Sequence, residues 1–101
     1  MRTQALLLAL AAPLAALAQS PEALQARSLA ATCANCHGTD GRAVAGSGMA
    51  GLAGQPRDYL LQQLRAFRDG SRPATVMHQI AKGYSEPQLQ QLAAYFAAQA
   101  K

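Results

Sequence analysis

A chain of 101 residues has room for one domain. Its formal charge of +4 is modest and scattered, which excludes the clustered basic stripe that nucleic-acid binding needs. With no Trp, two Phe and three Tyr, and with Ala dominating the apolar residues, the core is short of bulk; so small a chain commonly needs a disulfide, metal or cofactor as a staple.

The first 18 residues read as a signal peptide. Met1-Arg2-Thr3-Gln4 carries one positive charge, and an Ala and Leu run from Ala5 to Ala18 is broken only by Pro13. It closes on Ala16-Leu17-Ala18, the small-x-small pattern cut by signal peptidases. The run is shorter than the roughly 20 residues that span a bilayer, and no charged stop-transfer flank follows. Cleavage leaves residues 19–101 as the single domain, with no membrane span, and removes Arg2, lowering the formal charge from +4 to +3.

The rest of the chain predicts an all-α domain of three to four helices. Ser20-Pro21-Glu22 is a helix start, with a hydroxyl cap, Pro at the first position and an acid in the first turn. This helix is expected to run towards Cys33 with Leu24, Ser28 and Ala31 on one face. Six of the eight glycines fall between Gly38 and Gly54, a long loop of the kind that is usually functional in a small domain. A second helix is predicted from near Pro56 to Asp69, with Leu60, Leu64 and Phe67 at i, i+4, i+7 and Gly70 as C-cap. A short helical piece over Thr75 to Ala81 is ended by Gly83. Ser85-Glu86-Pro87-Gln88 is a capping box for the last helix, where Leu89, Leu92, Ala93 and Phe96 repeat with helical period.

Cys33-Ala34-Asn35-Cys36-His37 carries the chemistry. C-x-x-C-H is the attachment signature of c-type haem. Two thiols about one helical turn apart reach the two vinyl groups on one porphyrin edge, and the next residue then aims an imidazole at the iron. A disulfide here would close too short a loop to stabilise much. A thioredoxin-like pair expects a strand before a helix, and zinc needs four ligands where only Cys33, Cys36, His37 and His78 stand as candidates. Haem c is therefore the predicted cofactor and His37 its proximal ligand. For the sixth position Met49, Met77 and His78 are candidates. Met49 lies in the glycine loop shortly after His37, whereas Met77 follows a helix that can return the chain over the other haem face; spacing favours Met77.

In these residues the chain resembles the class I c-type cytochromes over essentially its whole length after residue 18. Cys33 to Gly41, Leu52-Ala53-Gly54-Gln55 with Tyr59-Leu60, Met77, and Leu92 to Phe96 stand in the order that family uses. Thr75 to Ser85 is similar to the ligand loop in cytochrome subunits of flavocytochrome c sulfide dehydrogenases. The resemblance implies Met77 as the distal iron ligand and a first and last helix that cross with haem between them and the middle helix. Many relatives carry a Pro before the Leu matching Leu52, and its carbonyl orients the proximal His. Met49-Ala50-Gly51 stands there instead, and a backbone carbonyl near Ala50 can serve equally.

The function implied is single-electron transfer in the periplasm, with a flavoprotein that oxidises sulfide as the expected redox partner. A free shuttle to an oxidase or another cytochrome is the alternative. Two rivals need a different site: a ligand-binding haem sensor or small peroxidase needs Met77 displaced, and a thiol–disulfide oxidoreductase needs no haem at all.

Overall fold

The structure, a computed structural model, describes residues 19–101; the expected signal peptide lies outside the described residues. These form an all-helical domain with no strand among them. Helices α1 (Pro21–Ala31), α2 (Ala34–His37), α3 (Arg57–Asp69), α4 (Met77–Lys82) and α5 (Glu86–Ala97) follow in order, with a 3₁₀ turn at Thr39–Gly41. The count exceeds the expected three to four because the motif forms its own single turn. α1 stops at Ala31, the backbone bends through Thr32 and Cys33, and α2 restarts with His37 in its last position. None of these helices is long and apolar enough to cross a membrane.

The helix ends behave as their residues require. Ser20 accepts from the Ala23 amide at 3.1 Å. Ser85 and Gln88 exchange both bonds of the capping box, at 2.9 and 3.3 Å. Gly70 closes α3 in the left-handed region at φ 82°. One expectation fails on α1: Leu24 is half exposed and Ala31 is exposed, whereas Ala30 is buried and Leu29 packs beside it. The Ala-rich segment has almost no apolar asymmetry, so its inward face is chosen by α5, against which it packs, and not by its own pattern.

α5 is the centre of the core. Leu89, Leu92, Ala93 and Phe96 are buried against Ala30, Leu60 and Leu61, and each large side chain contributes roughly 2 kcal/mol by burial. α3 packs on both α4 and α5. Arg65 and Arg68 bind the Glu86 carboxylate, the Arg68 Nη2 at 2.9 Å, and so fasten α3 to the start of α5. The remaining side of this assembly is covered by the glycine loop, which leaves an apolar cavity between the loop, α3, α4 and α5.

Candidate haem site

The cavity has a volume of about 310 Å³ and is lined mostly by apolar groups. Leu60, Leu64 and Phe67 form the α3 wall, and Leu92, Ala93 and Phe96 the α5 wall. The periodic α3 face anticipated from sequence is thus half-buried in Leu64 and Phe67 because it faces the cavity as well as the packed core. Cys33, His37, Met49 and Met77 also line it; Cys36 is exposed and lies outside the lining, as does His78.

His37 is the one buried polar side chain among the described residues, at 9% exposure. Its Nδ1 lies 2.8 Å from the Ala50 carbonyl, a bond in which Nδ1–H donates. That fixes the tautomer and leaves the Nε2 lone pair to bind a metal. The carbonyl expected near Ala50 in place of a proline's is therefore present. Met49 immediately precedes Ala50, so it belongs to the His37 side of the cavity, and Met77 enters from α4.

Backbone geometry holds this side in place. Gly38 has φ 79° and ψ 167°, a region essentially reserved for glycine, and a Cβ there would stand 1.9 Å from the Arg42 carbonyl oxygen. The Gly41 carbonyl accepts from both the Leu52 and Ala53 amides, at 2.8 and 3.2 Å. The Gly54 amide donates to the Phe96 carbonyl at 2.9 Å, and Arg42 Nε donates to the Ala100 carbonyl at 3.0 Å. Tyr95 donates its hydroxyl to the Asp40 carboxylate. The loop that presents Ala50 to His37 is in this way tied at both its ends, through Asp40 and Arg42 and through Gly54, to α5 and the residues that follow it.

The Cys33 environment runs against thiol–disulfide catalysis. Burial pushes the Cys33 thiol up, partly offset by its bond to Thr32, whereas a thiol–disulfide catalyst needs a depressed pKa. Among the described residues no three His, Cys, Asp or Glu side chains come together. The donors fit a different group: a broad apolar ring held at one edge by Cys33 and Cys36, with a nitrogen on one face and a thioether from Met77 facing the same cavity. That is the chemistry of haem c.

Several lining residues were not foreseen: Gln55, Tyr59, Gln63 and Arg72. Tyr59 and Gln63 are four apart on the flank of the Leu60–Leu64–Phe67 face, so helical period could have found them. Arg72 lies in the segment between α3 and α4, and no periodicity reaches it.

Known proteins bear on the assignment. The family model for cytochrome c matches residues 25–99. The chain is 42% identical over 86 residues to a thiosulfate dehydrogenase electron acceptor of Thiomonas intermedia (strain K12), covering 85% of this chain and 36% of that protein. It is 40% identical over 68 residues to the cytochrome subunit of sulfide dehydrogenase of Chlorobaculum tepidum, covering 67% and 60%. The Acidithiobacillus ferrooxidans cytochrome c4 structure superposes with a TM-score of 0.69 at 31% identity, over 79% of this chain and 51% of that one. The chain thus spans between about a third and three fifths of the length of these relatives. The all-helical fold, the C-x-x-C-H motif and the family match agree: this chain belongs to the cytochrome c family, whose members bind haem c covalently and transfer electrons.

Proposed function

We propose that the chain is an exported, periplasmic monohaem electron carrier, with Cys33 and Cys36 holding the haem, His37 its proximal ligand and Met77 its distal one. The observation that carries the ligand set is the cavity itself: His37 is fixed through Nδ1 by the Ala50 carbonyl, and Met77, not His78, is in the lining. Met49 shares the proximal segment and is a poor candidate for the opposite face.

Bound there, haem c supplies a one-electron ferric–ferrous couple, which thioether ligation biases towards the ferrous form. The chain's residues set the conditions for it. His37 presents Nε2 without a choice of tautomer, and Met77 would hold the iron from its own side of the cavity, leaving oxygen and peroxide no open site. Leu60, Leu64, Leu92 and Phe96 keep water from the ring. The Ala50 carbonyl orients the imidazole.

The reading we favour for the partner is a flavoprotein that oxidises sulfide. It is supported by the 40% identity to the cytochrome subunit of a sulfide dehydrogenase and by the stretch from Thr75 to Ser85. The Thiomonas relative, an electron acceptor of thiosulfate dehydrogenase, favours a second reading, a separate acceptor that docks transiently. A transient carrier docks weakly through charges and is released by salt; a resident subunit buries an apolar patch and is not. Gel filtration of native periplasmic extract in high salt, following haem and flavin absorbance together, separates them. Co-elution with sulfide-dependent haem reduction is expected. Haem running alone as a monomer in low and high salt, and left oxidised by sulfide, would establish the transient acceptor instead.

A further inference from the structure

Shortly past His37 the chain takes a conformation that side chains rarely adopt. Asp40 has φ 54° and ψ 27°, and it is the one residue other than glycine with positive φ among those described. Asp tolerates this left-handed region better than most residues, yet at a cost that the surroundings must offset. What offsets it is a knot of side chains. Tyr95 on α5 donates its hydroxyl to Asp40 Oδ1 at 2.5 Å, in a partly buried setting. The carboxylate beside it holds the pKa of the Tyr95 phenol above its ordinary value, through that bond first and burial second. Arg42 Nη1 stands 3.6 Å from Asp40 Oδ2, and Arg42 Nε donates to the Ala100 carbonyl beyond α5. Both oxygens of one carboxylate thus face groups that belong to, or are held by, the end of the chain's last helix.

The knot sits on the path from α5 to the imidazole of His37. Gly41 follows Asp40 at φ 78°, and a Cβ there would stand 2.8 Å from the Phe96 ring. The Gly41 carbonyl accepts from the Leu52 amide at 2.8 Å. Leu52 closes the same short segment as Ala50, whose carbonyl holds His37 Nδ1. We propose that Asp40, through Tyr95, is a positioning residue for His37: it fixes the turn that registers the Ala50 carbonyl and so sets the orientation of the imidazole plane. A carboxylate suits the task because it accepts from Tyr95 and faces Arg42 at once. The role rests on His37 binding iron as argued above, since a hydrogen bond at Nδ1 fixes both the ring plane and the basicity of the nitrogen that meets the metal.

The test uses the haem-loaded protein with Tyr95→Phe, Asp40→Ala and Asp40→Asn. Proton NMR of the ferric form reads two things: the order and spread of the haem methyl shifts, which follow the orientations of the axial ligands, and the rate at which the His37 Nδ1 proton exchanges with water. The second reports His37 alone. Tyr95→Phe keeps the ring, edge-on to Phe96 at 5.5 Å, and removes only the donor. It is expected to change the methyl pattern and to speed exchange up to about tenfold, the effect of one lost hydrogen bond. Asp40→Ala should do at least as much. Asp40→Asn should stay near the wild type, since Asn tolerates the left-handed region and keeps an oxygen for Tyr95. Glu86→Gln is the control: it removes the carboxylate that fastens α3 to the start of α5 and should leave both readings unchanged. Wild-type methyl pattern and exchange rate in folded, haem-loaded Tyr95→Phe would overturn the proposal. Equal changes in Glu86→Gln would overturn it too, by assigning the effect to general loosening. A wild type in which the iron shifts no His37 ring proton would instead overturn the ligand assignment, and the role with it.

Discussion

The two sides of the cavity are built by different means. On the His37 side, backbone bonds tie the loop from Gly38 to Gly54 to itself and to α5, and His37 is locked by a main-chain carbonyl. On the Met77 side, the proposed ligand starts a helix of six residues whose N-cap, Val76, provides no side-chain bond and is half exposed. What ties that segment to the motif is one hydrogen bond: Tyr84 donates its hydroxyl to Thr32 Oγ1 at 2.6 Å, and Thr32 in turn donates to the Leu29 carbonyl at 2.7 Å. The His37 side is thus organised by backbone bonds within its loop and to α5, whereas the Met77 side rests on the packing of α4 against α3 and on one side-chain latch. As the proposed ligand, Met77 is therefore the weaker half of the pair with His37 and the natural place for ligand loss.

The largest effect should come from the anchor common to both sides. Cys33→Ala or Cys36→Ala leaves at most one thioether bond, and little mature haem protein should accumulate. Haem in the wild type should survive extraction with acidified acetone; clean extraction would contradict covalent attachment. Next, Met77→Ala should abolish the long-wavelength iron–thioether band and admit carbon monoxide, while Met49→Ala and His78→Ala retain the band. Loss of the band in His78→Ala alone would make the haem bis-His.

The proximal side is broken by backbone, not by ligand. Gly38→Ala forces a side chain into a glycine-only conformation, a cost of about 1–3 kcal/mol, and drives it into the Arg42 carbonyl. Thermal unfolding should move sharply down while the iron–thioether band persists in what remains folded. Tyr84→Phe should do the opposite. Removing one hydrogen bond costs about 0.5–1.5 kcal/mol, so the unfolding temperature falls little, but carbon monoxide should enter the ferrous protein up to about tenfold faster because Met77 leaves more often. Equal entry rates in wild type and Tyr84→Phe would show that the latch does not hold the distal side.

The smallest effect is electrostatic. Arg65, with smaller help from Gln90 and Arg68, holds the Glu86 carboxyl at a pKa of about 2, below its ordinary 4.5. A carboxylate depressed on folding contributes stability that is fully present above the unfolded pKa and is lost as pH falls through the folded one. Wild type should therefore lose a small part of its stability between pH 4.5 and 2, and Glu86→Gln should lack that part at neutral pH. The pair is exposed and screened, so the shift in unfolding temperature should shrink further in salt.

Sequence disclosed the motif, the last helix and the α3 face because each obeys a local rule: fixed spacing, a capping box, a helical period. It also disclosed that some main-chain carbonyl near Ala50 could accept the hydrogen bond from His37. It did not disclose the bend at Thr32 and Cys33, because residues on both sides of it have helical propensity. The inward face of α1 was misread towards Leu24, since a nearly uniform Ala-rich helix is oriented by its neighbour. Arg72 stayed hidden for another reason: it follows a glycine cap in an irregular segment, where only tertiary structure decides what a side chain meets. The Tyr84–Thr32 latch joins residues 52 apart in the chain, beyond the reach of any local pattern.

The bond from the Gly54 amide to the Phe96 carbonyl has a consequence for timing. The loop that orients His37 cannot close until the last helix of the chain has arrived, because its anchor lies on that helix. Contacts of such long sequence separation form late. Until then the C-x-x-C-H segment stays open, and an attachment machinery that needs it open meets it so. Once α5 docks, the same bond anchors the end of the loop that orients His37.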